Sequence, residues 1–285
     1  MKVLLAVLAH PDDETFGMGG TLALYAQRGV QVHLVCATRG EAGTVSPEHL
    51  QGFDNIAQLR ESELRCAASH LGLADVHFLG YRDSGMAGSP ENQHPEALAS
   101  AKLDQVVERV TGHIRRIKPQ VVVTFDPAGG YGHPDHIASH LATVEAFQAA
   151  GDSGRFPAAG PPFVPQKLYF ITFSRRFAGL SIALLRMTGH DPHRMGRNQD
   201  IDLSEIASRQ FPIHARVNYR PVAKLKRLAT ACHASQLDSG LSEGGLAGLI
   251  WRLERLGTID TFMRAHPPAS DGPVERDLFR GVREA

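Results

Sequence analysis

An unbroken apolar run at residues 3–9 passes directly into the sequence His-Pro-Asp-Asp-Glu. A strand that is apolar on both faces is typical of the centre of a parallel sheet covered by helices on both sides. Residues 31–38, 76–79 and 121–125 are similar short runs, and segments of helical periodicity separate them, the clearest at residues 103–117. This alternation predicts an α/β fold: a Rossmann-like, doubly wound, mainly parallel sheet with helices on both faces.

The second half of the chain is less regular. Residues 151–165 are rich in Gly, Pro and Ala and predict a surface loop, and the basic stretch at residues 175–200 predicts a mobile loop or lid. Helices are predicted at residues 221–235 and 246–265. We expect a single domain made of a core, a loop region and a C-terminal helical extension that completes the site (residues 1–150, 151–200 and 201–285).

Composition narrows the class of partner. The chain carries 30 Lys and Arg residues against 30 Asp and Glu residues, which offers no electrostatic reason to bind nucleic acid or an anionic membrane. No stretch approaches the ~20 apolar residues of a membrane span. Cys36, Cys66 and Cys232 are far apart and odd in number, so we expect reduced thiols and a cytoplasmic protein. A small-molecule substrate is favoured, and a homo-oligomer is left open.

Two clusters of His and Asp each follow an apolar strand, at residues 10–14 and 133–136. In an open α/β sheet, ligands bind beyond the carboxyl ends of the strands, so both clusters are expected to face one crevice if their strands are neighbours. Imidazole and carboxylate together suit zinc, and three protein ligands with an open position are typical of a hydrolytic centre. A second carboxylate beside metal-bound water would supply a general base.

The same residues resemble the LmbE-like, or PIG-L, zinc deacetylases. The resemblance rests on four segments of about the first 150 residues: residues 9–14, the glycine turn at 17–20, residues 39–43 and residues 130–136. Members of this family remove acetyl from N-acetylglucosamine units. Residues 79–86 are similar to a segment of the branch that acts on precursors and conjugates of low-molecular-weight thiols.

The resemblance implies a role for each matching position. His10, Asp13 and His136 would hold one zinc ion, with Fe²⁺ or Co²⁺ as alternatives. Asp12 would be the general base, His133 would stabilise the transition state or act as the acid, and Asp135 would orient His133. The residues implied to contact the substrate or wall the pocket are Arg60, Asp83, Tyr131 and Glu41.

The predicted activity is removal of the N-acetyl group from an N-acetylglucosamine conjugate of malate or inositol, giving a free amine and acetate. One alternative is an amidase that cuts a thiol-sugar S-conjugate. Another is a sugar- or nucleotide-binding module without catalysis, although binding alone does not require a base such as Asp12 opposite His133.

Several neighbouring polar residues have a structural interpretation beside a functional one. His140 has metal-ligand spacing from His136, but a supporting or surface position is favoured. Glu14 is expected near a helix start, where the helix dipole favours negative charge. Glu63 is expected to have a structural role. For His233 and Gln236, the sequence leaves open whether they serve packing or belong to the site.

Overall fold

A computed structural model describes residues 1–172, 211–237, 257–269 and 272–283, together with isolated residues between 173 and 210. Its strands form one sheet in the order β3-β2-β1-β4-β5-β7-β6. The first five strands in this order are parallel, and β7 runs antiparallel to both β5 and β6. The strands are β1 Val3–Leu8, β2 Gln31–Cys36, β3 Asp75–Phe78, β4 Val121–Thr124, β5 Lys167–Thr172, β6 Ala215–Asn218 and β7 Ile259–His266.

Helices cover both faces of this sheet, because successive side chains of the central strands point to opposite sides. In β1, Leu4 and Leu8 belong to the core beneath the helices Asp13–Gln27, Ile56–Leu71 and Ala223–Cys232, whereas Leu5 and Val7 belong to the core beneath the helices Leu103–Ile117 and Pro134–Ala149. The predicted α/β, mainly parallel fold is therefore confirmed. The helices are α1 Asp13–Gln27, α2 Ile56–Leu71, α3 Leu103–Ile117, α4 Gly129–Gly132, α5 Pro134–Ala149, α6 Ala223–Cys232 and α7 Ala234–Leu237.

The order of the strands positions the site. Strand β1 pairs with β2 on one side and with β4 on the other, so the order of the sheet reverses between β1 and β4. A crevice opens beyond the carboxyl ends of two such strands. The segments that follow β1 and β4 are the two His and Asp clusters, so they meet at this crevice.

The C-terminal region departs from the prediction. The helix expected at residues 221–235 is present as α6, but the helix expected at residues 246–265 is wrong over its last part, because Ile259–His266 is strand β7. This strand lies between β5 and β6, where neighbours on both sides satisfy its backbone groups. Residues 246–256, and most of the predicted lid at 175–200, lie outside the described residues.

Two of the three cysteines are joined. Cys66 on α2 and Cys232 at the end of α6 form a disulfide, with their Cα atoms 5.8 Å apart. The expectation of reduced thiols is therefore wrong for this pair, whereas Cys36 is free and buried. The pairing depends on the packing of α2 against α6, which cysteines separated by 166 positions do not reveal in sequence. Within the described ranges, no helix combines the length and the apolar character that crossing a membrane requires.

Candidate active site

Three side chains converge at the crevice. His10 follows β1, Asp13 begins α1, and His136 lies near the start of α5. The His10 Nδ1 and His136 Nε2 atoms are 3.2 Å apart, and the Asp13 carboxylate lies 3.6 Å from the first and 3.3 Å from the second. Both imidazoles are buried. These are the residues that the sequence resemblance implied as metal ligands.

The outer contacts of the two imidazoles fix which nitrogen faces the centre. His136 Nδ1 lies 3.2 Å from the carbonyl oxygen of Gly129, to which it donates. His10 Nε2 lies 3.2 Å from the Asp135 carboxylate. When both rings are neutral, each imidazole therefore turns a lone pair toward the other and toward Asp13, as histidines that bind a metal do. Two lone pairs and a carboxylate repel one another at these distances, so the donor set fits a cation at the centre.

The surrounding charge favours a cation as well. The contacts place four carboxylates around the imidazoles, those of Asp12, Asp13, Asp83 and Asp135. Burial alone would lower the pKa of His10, but the carboxylates of Asp83, Asp13 and Asp135, with Asp83 foremost, raise it above its usual value. The arrangement can hold a divalent ion with one face left for water and substrate.

Asp12 stands beside this centre in an unusual backbone conformation. Its φ is 125°, a region that residues other than glycine rarely adopt. Its carboxylate accepts a hydrogen bond of 2.9 Å from Arg60 Nη2, and the same guanidinium donates to the carbonyl oxygens of Pro11 and Gly40. Burial raises the pKa of Asp12 to about 6, although Arg60 acts against the rise. An acid of this pKa is ionised at neutral pH and readily accepts a proton.

Glu14 and His233 form a pair next to the backbone of Asp12. Both are buried, and Glu14 Oε1 lies 2.8 Å from His233 Nε2. The other oxygen of Glu14 accepts the backbone N–H of Asp12 at 2.9 Å. His233 follows α6, 219 positions from Glu14. The sequence left the role of His233 open, and no local signal could have paired it with Glu14.

A backbone group of Asp135 holds the ring of His133. Its Nδ1 accepts the backbone N–H of Asp135 at 3.1 Å, so in the neutral ring the proton is on Nε2. Burial, together with His10 and His136, lowers its pKa to about 2. The Asp135 carboxylate instead accepts the Ser84 N–H at 2.9 Å and faces His10. The resemblance implied that Asp135 orients His133; in the structure the backbone N–H of Asp135 does so, whereas its side chain contacts His10.

The four residues that the resemblance implied as substrate contacts occupy different positions. Asp83 Oδ1 lies 3.5 Å from His10 Nε2, and the Tyr131 ring centre lies 5.0 Å from that of His136, so both border the centre. Glu41 accepts the Asp83 N–H at 3.0 Å and supports that loop. Arg60 is buried behind Asp12, which favours positioning of Asp12 over the predicted sugar contact.

The structural interpretations of two further residues agree with the geometry. His140 is buried, and its Nδ1 lies 2.9 Å from the carbonyl oxygen of Phe125. Glu63 accepts both the N–H and the hydroxyl of Ser235 at 2.8 Å, which ties the start of α7 to α2. Gln236 donates to the Ser235 hydroxyl beside them.

Comparison with known proteins points to one family. Residues 5–147 match the PIG-L family, described as GlcNAc-PI de-N-acetylase. A 1D-myo-inositol 2-acetamido-2-deoxy-alpha-D-glucopyranoside deacetylase of Rhodococcus erythropolis is 36% identical, over 99% of this chain and 98% of that protein. An enzyme of the same name from Geodermatophilus obscurus is 37% identical, over 98% of this chain and 97% of that protein.

Two solved structures share the fold at low identity. The N,N'-diacetylchitobiose deacetylase of Pyrococcus horikoshii aligns with a TM-score of 0.62 at 20% identity, over 92% of this chain and 83% of that one. The 4-carboxy-2-hydroxymuconate hydratase GalB of Pseudomonas putida aligns with a TM-score of 0.59 at 22% identity, over 96% of this chain and 100% of that one. The same fold thus carries different reactions, so the reaction must be argued from the site.

Proposed function

Because this chain belongs to the PIG-L family and is an amide hydrolase of the deacetylase type, we propose that it is a zinc-dependent enzyme that removes the N-acetyl group of an N-acetylglucosamine conjugate. The observation that carries the zinc dependence is the orientation of the two imidazoles. His10 and His136 aim lone pairs at one point beside the Asp13 carboxylate. Fe²⁺ and Co²⁺ are the alternatives, since the same nitrogen and oxygen donors suit them.

In this proposal, His10, Asp13 and His136 hold the ion, which when bound lowers the pKa of water and polarises the acetyl carbonyl. Asp12 accepts the proton of the attacking water, and its pKa of about 6 keeps it ionised at neutral pH. His133, neutral and protonated on Nε2, donates a hydrogen bond to the carbonyl oxygen as negative charge develops there. Asp12 then passes this proton to the amide nitrogen as the C–N bond breaks, which releases acetate and the free amine.

We further propose that the sugar is joined to inositol, as in the compound named for the relatives above. The full-length match to these relatives supports this choice over a malate conjugate. Asp83 and Tyr131 are the bordering residues that would contact the sugar. A cytoplasmic location, an oligomeric state and the absence of nucleic-acid or membrane partners stay predictions.

The test is acetate release by the zinc-loaded protein from N-acetylglucosaminyl inositol and N-acetylglucosaminyl malate, side by side. We expect a strong preference for the inositol conjugate. A preference for the malate conjugate would contradict the assignment of inositol as the aglycone but would still support deacetylation. Zinc binding with no acetate from either compound would overturn deacetylation of these conjugates, and cleavage of a thiol-sugar S-conjugate would then be assayed.

Two variants separate the roles at the centre. Asp12→Asn is expected to keep its zinc and lose at least ~100-fold in kcat, because general-base catalysis contributes about 10² to 10⁴. His136→Ala is expected to lose the metal itself, as measured by elemental analysis of the dialysed protein with the disulfide between Cys66 and Cys232 intact. Full zinc occupancy in His136→Ala would contradict the ligand set, and turnover retained by Asp12→Asn would contradict the base.

A further inference from the structure

A second group of metal-type side chains lies on a different pair of helices. Cys66 and His70 are four residues apart on α2, and Cys232 ends α6. Each offers one ligand atom, and these atoms lie within 4.8 Å of one another. Cys66 is exposed, and His70 and Cys232 are partly exposed, so solvent reaches the group. None of the three takes part in the proposed deacetylation.

We propose that Cys66, His70 and Cys232 form a second metal site in the reduced protein, selective for a soft divalent cation such as Zn²⁺. Two thiolates and an imidazole are a ligand set that zinc prefers, with water in the fourth position. Residues four apart face the same side of a helix, which is the spacing by which helices present two metal ligands. The facing helix contributes the third ligand.

The geometry of the pair supports this assignment. The Cα atoms of Cys66 and Cys232 are 5.8 Å apart. Opening the disulfide leaves two sulfur atoms facing each other across this short gap, with His70 beside them. Because the folded helices α2 and α6 already hold the three side chains together, binding requires little rearrangement of the backbone.

The metal and the disulfide exclude each other, because the disulfide consumes both thiolates. Oxidation by a low-molecular-weight disulfide passes through thiol-disulfide exchange: the two cysteine thiols become one disulfide, and the reagent leaves as two thiols. Binding of the cation instead releases the two thiol protons. In either state α2 is joined to α6. Arg60, which contacts Asp12, lies on α2, and His233, which contacts Glu14, directly follows α6.

The probe is Co²⁺, because cobalt bound to thiolate has a ligand-to-metal charge-transfer absorption that the imidazole and carboxylate centre cannot produce. The full chain is reduced with a phosphine, freed of metal and titrated with Co²⁺. We expect one equivalent beyond the catalytic centre, accompanied by the thiolate band, and displacement of that band by Zn²⁺. The oxidised protein is expected to lack the band.

Variants test each ligand. Cys66→Ser with Cys232→Ser, which retains Cys36, is expected to lose the band, and His70→Ala is expected to bind Co²⁺ at least tenfold more weakly. His94→Ala, a substitution of a partly buried histidine on another segment, is the matched control and is expected to bind as the parent does. A reduced protein without the band, or His70→Ala with unchanged affinity, overturns the site.

A second measurement does not depend on the variants. Zn²⁺ is expected to slow the alkylation of Cys66 and Cys232 in the reduced parent protein, as followed by mass spectrometry of peptides. Equal alkylation rates with and without Zn²⁺ would also overturn the proposal. Neither readout involves deacetylase activity, so failure of this site and failure of the proposed function are distinguishable.

Discussion

Asp12 shows how one residue is held in a conformation that it would not adopt alone. A non-glycine residue in such a region costs about 1–3 kcal/mol, which its surroundings must supply. Glu14 binds its N–H, and Arg60 binds its carboxylate. One partner therefore fixes the backbone of the proposed base and another fixes its side chain before substrate arrives. A proton acceptor in a hydrolase requires this preorganisation.

Gly40 is the position at which this support is most easily broken. It has φ of 68°, and a Cβ atom there would lie 2.0 Å from Arg60 Nη1. Gly40→Ala is therefore expected to displace the guanidinium from Asp12 and to lower kcat at least tenfold with zinc retained. The measurement is steady-state acetate release together with metal content.

Gly52→Ala is the matched control for this substitution. Gly52 also has a positive φ, of 87°, but no atom lies within 4 Å of the Cβ that alanine would add. The control therefore carries the same kind of backbone strain without the steric clash. We expect its kcat to stay within twofold of the parent. Equal losses in both variants would show that strain alone, and not displacement of Arg60, lowers the activity.

At the scale of elements, a buried arginine joins α3 to the chain that follows α5. Arg115 is 1% exposed and donates to six backbone carbonyl groups at 2.6–3.2 Å. The acceptors are the carbonyl groups of residues 149, 150, 152, 155, 156 and 160. One guanidinium thus contacts six carbonyl groups of this segment, which helps a Gly- and Pro-rich loop to hold a defined course.

Arg115→Met is expected to destabilise the protein by roughly 3–5 kcal/mol, because it leaves buried carbonyl groups without donors. The neighbouring exposed residue offers a matched control, and Arg116→Met is expected to change the free energy of unfolding by less than about 1 kcal/mol. Urea unfolding measures both values. A loss in Arg115→Met no larger than in Arg116→Met would contradict the role of the buried guanidinium.

Three histidines, one each on β2, β3 and α3, form a cluster that joins these elements. The rings of His33 and His77 are stacked with centres 5.9 Å apart, and the His113 ring centre lies 5.1 Å from that of His77. Burial, and then Arg116, lower the pKa of His113 to about 4, and burial lowers the pKa of the other two. His113 therefore stays neutral in the folded protein at pH values where an exposed histidine is charged.

The sign of the pH effect follows from proton uptake. Unfolded histidine binds its proton near pH 6.5, whereas folded His113 binds it near pH 4. Between these values the unfolded chain binds more protons, so stability falls as pH falls. We expect the parent to lose about 1 kcal/mol more than His113→Gln between pH 7 and pH 5, after allowance for solvent screening. Thermal unfolding at the two pH values measures the difference, and identical pH dependence would contradict it.

At the scale of the molecule, the proposed catalytic metal joins segments that are far apart in the chain. His10 and Asp13 follow β1, and His136 lies near the start of α5, the second helix after β4. A ligand that binds the folded state alone stabilises it by about 2.7 kcal/mol at a hundred times its dissociation constant. Chelation of the oxidised protein, in which Cys66 and Cys232 are bonded, is therefore expected to lower Tm by several degrees.

His136→Ala provides the comparison for the chelation experiment. Because this variant lacks a proposed ligand, we expect its Tm to be nearly the same with and without chelator. Scanning calorimetry of both proteins measures the two shifts. A chelator-induced shift as large in the variant as in the parent would place the stabilising ion elsewhere.

Periodicity and local motifs were sufficient to predict the parallel core and the edge of the sheet at which the proposed centre lies. A run such as residues 3–9 is buried on both faces in any α/β arrangement, and the polar residues after β1 and β4 meet because both strands end at the same edge of the sheet. That the two His and Asp clusters face one crevice was therefore predictable from the alternation of strands and helices, whereas the choice of His10, Asp13 and His136 within them came from the resemblance to the PIG-L family.

The remaining features depend on contacts between distant residues. Strand β7 was mistaken for a helix, because its place between β5 and β6 outweighs the periodicity of a short apolar segment. The pairings of Cys66 with Cys232 and of Glu14 with His233 arise where α6 packs near α1 and α2, and the Asp135 carboxylate turns to His10 because Ser84 holds it there. Sequence specifies local conformation and burial, but which buried polar groups become partners is decided by the packing of complete elements.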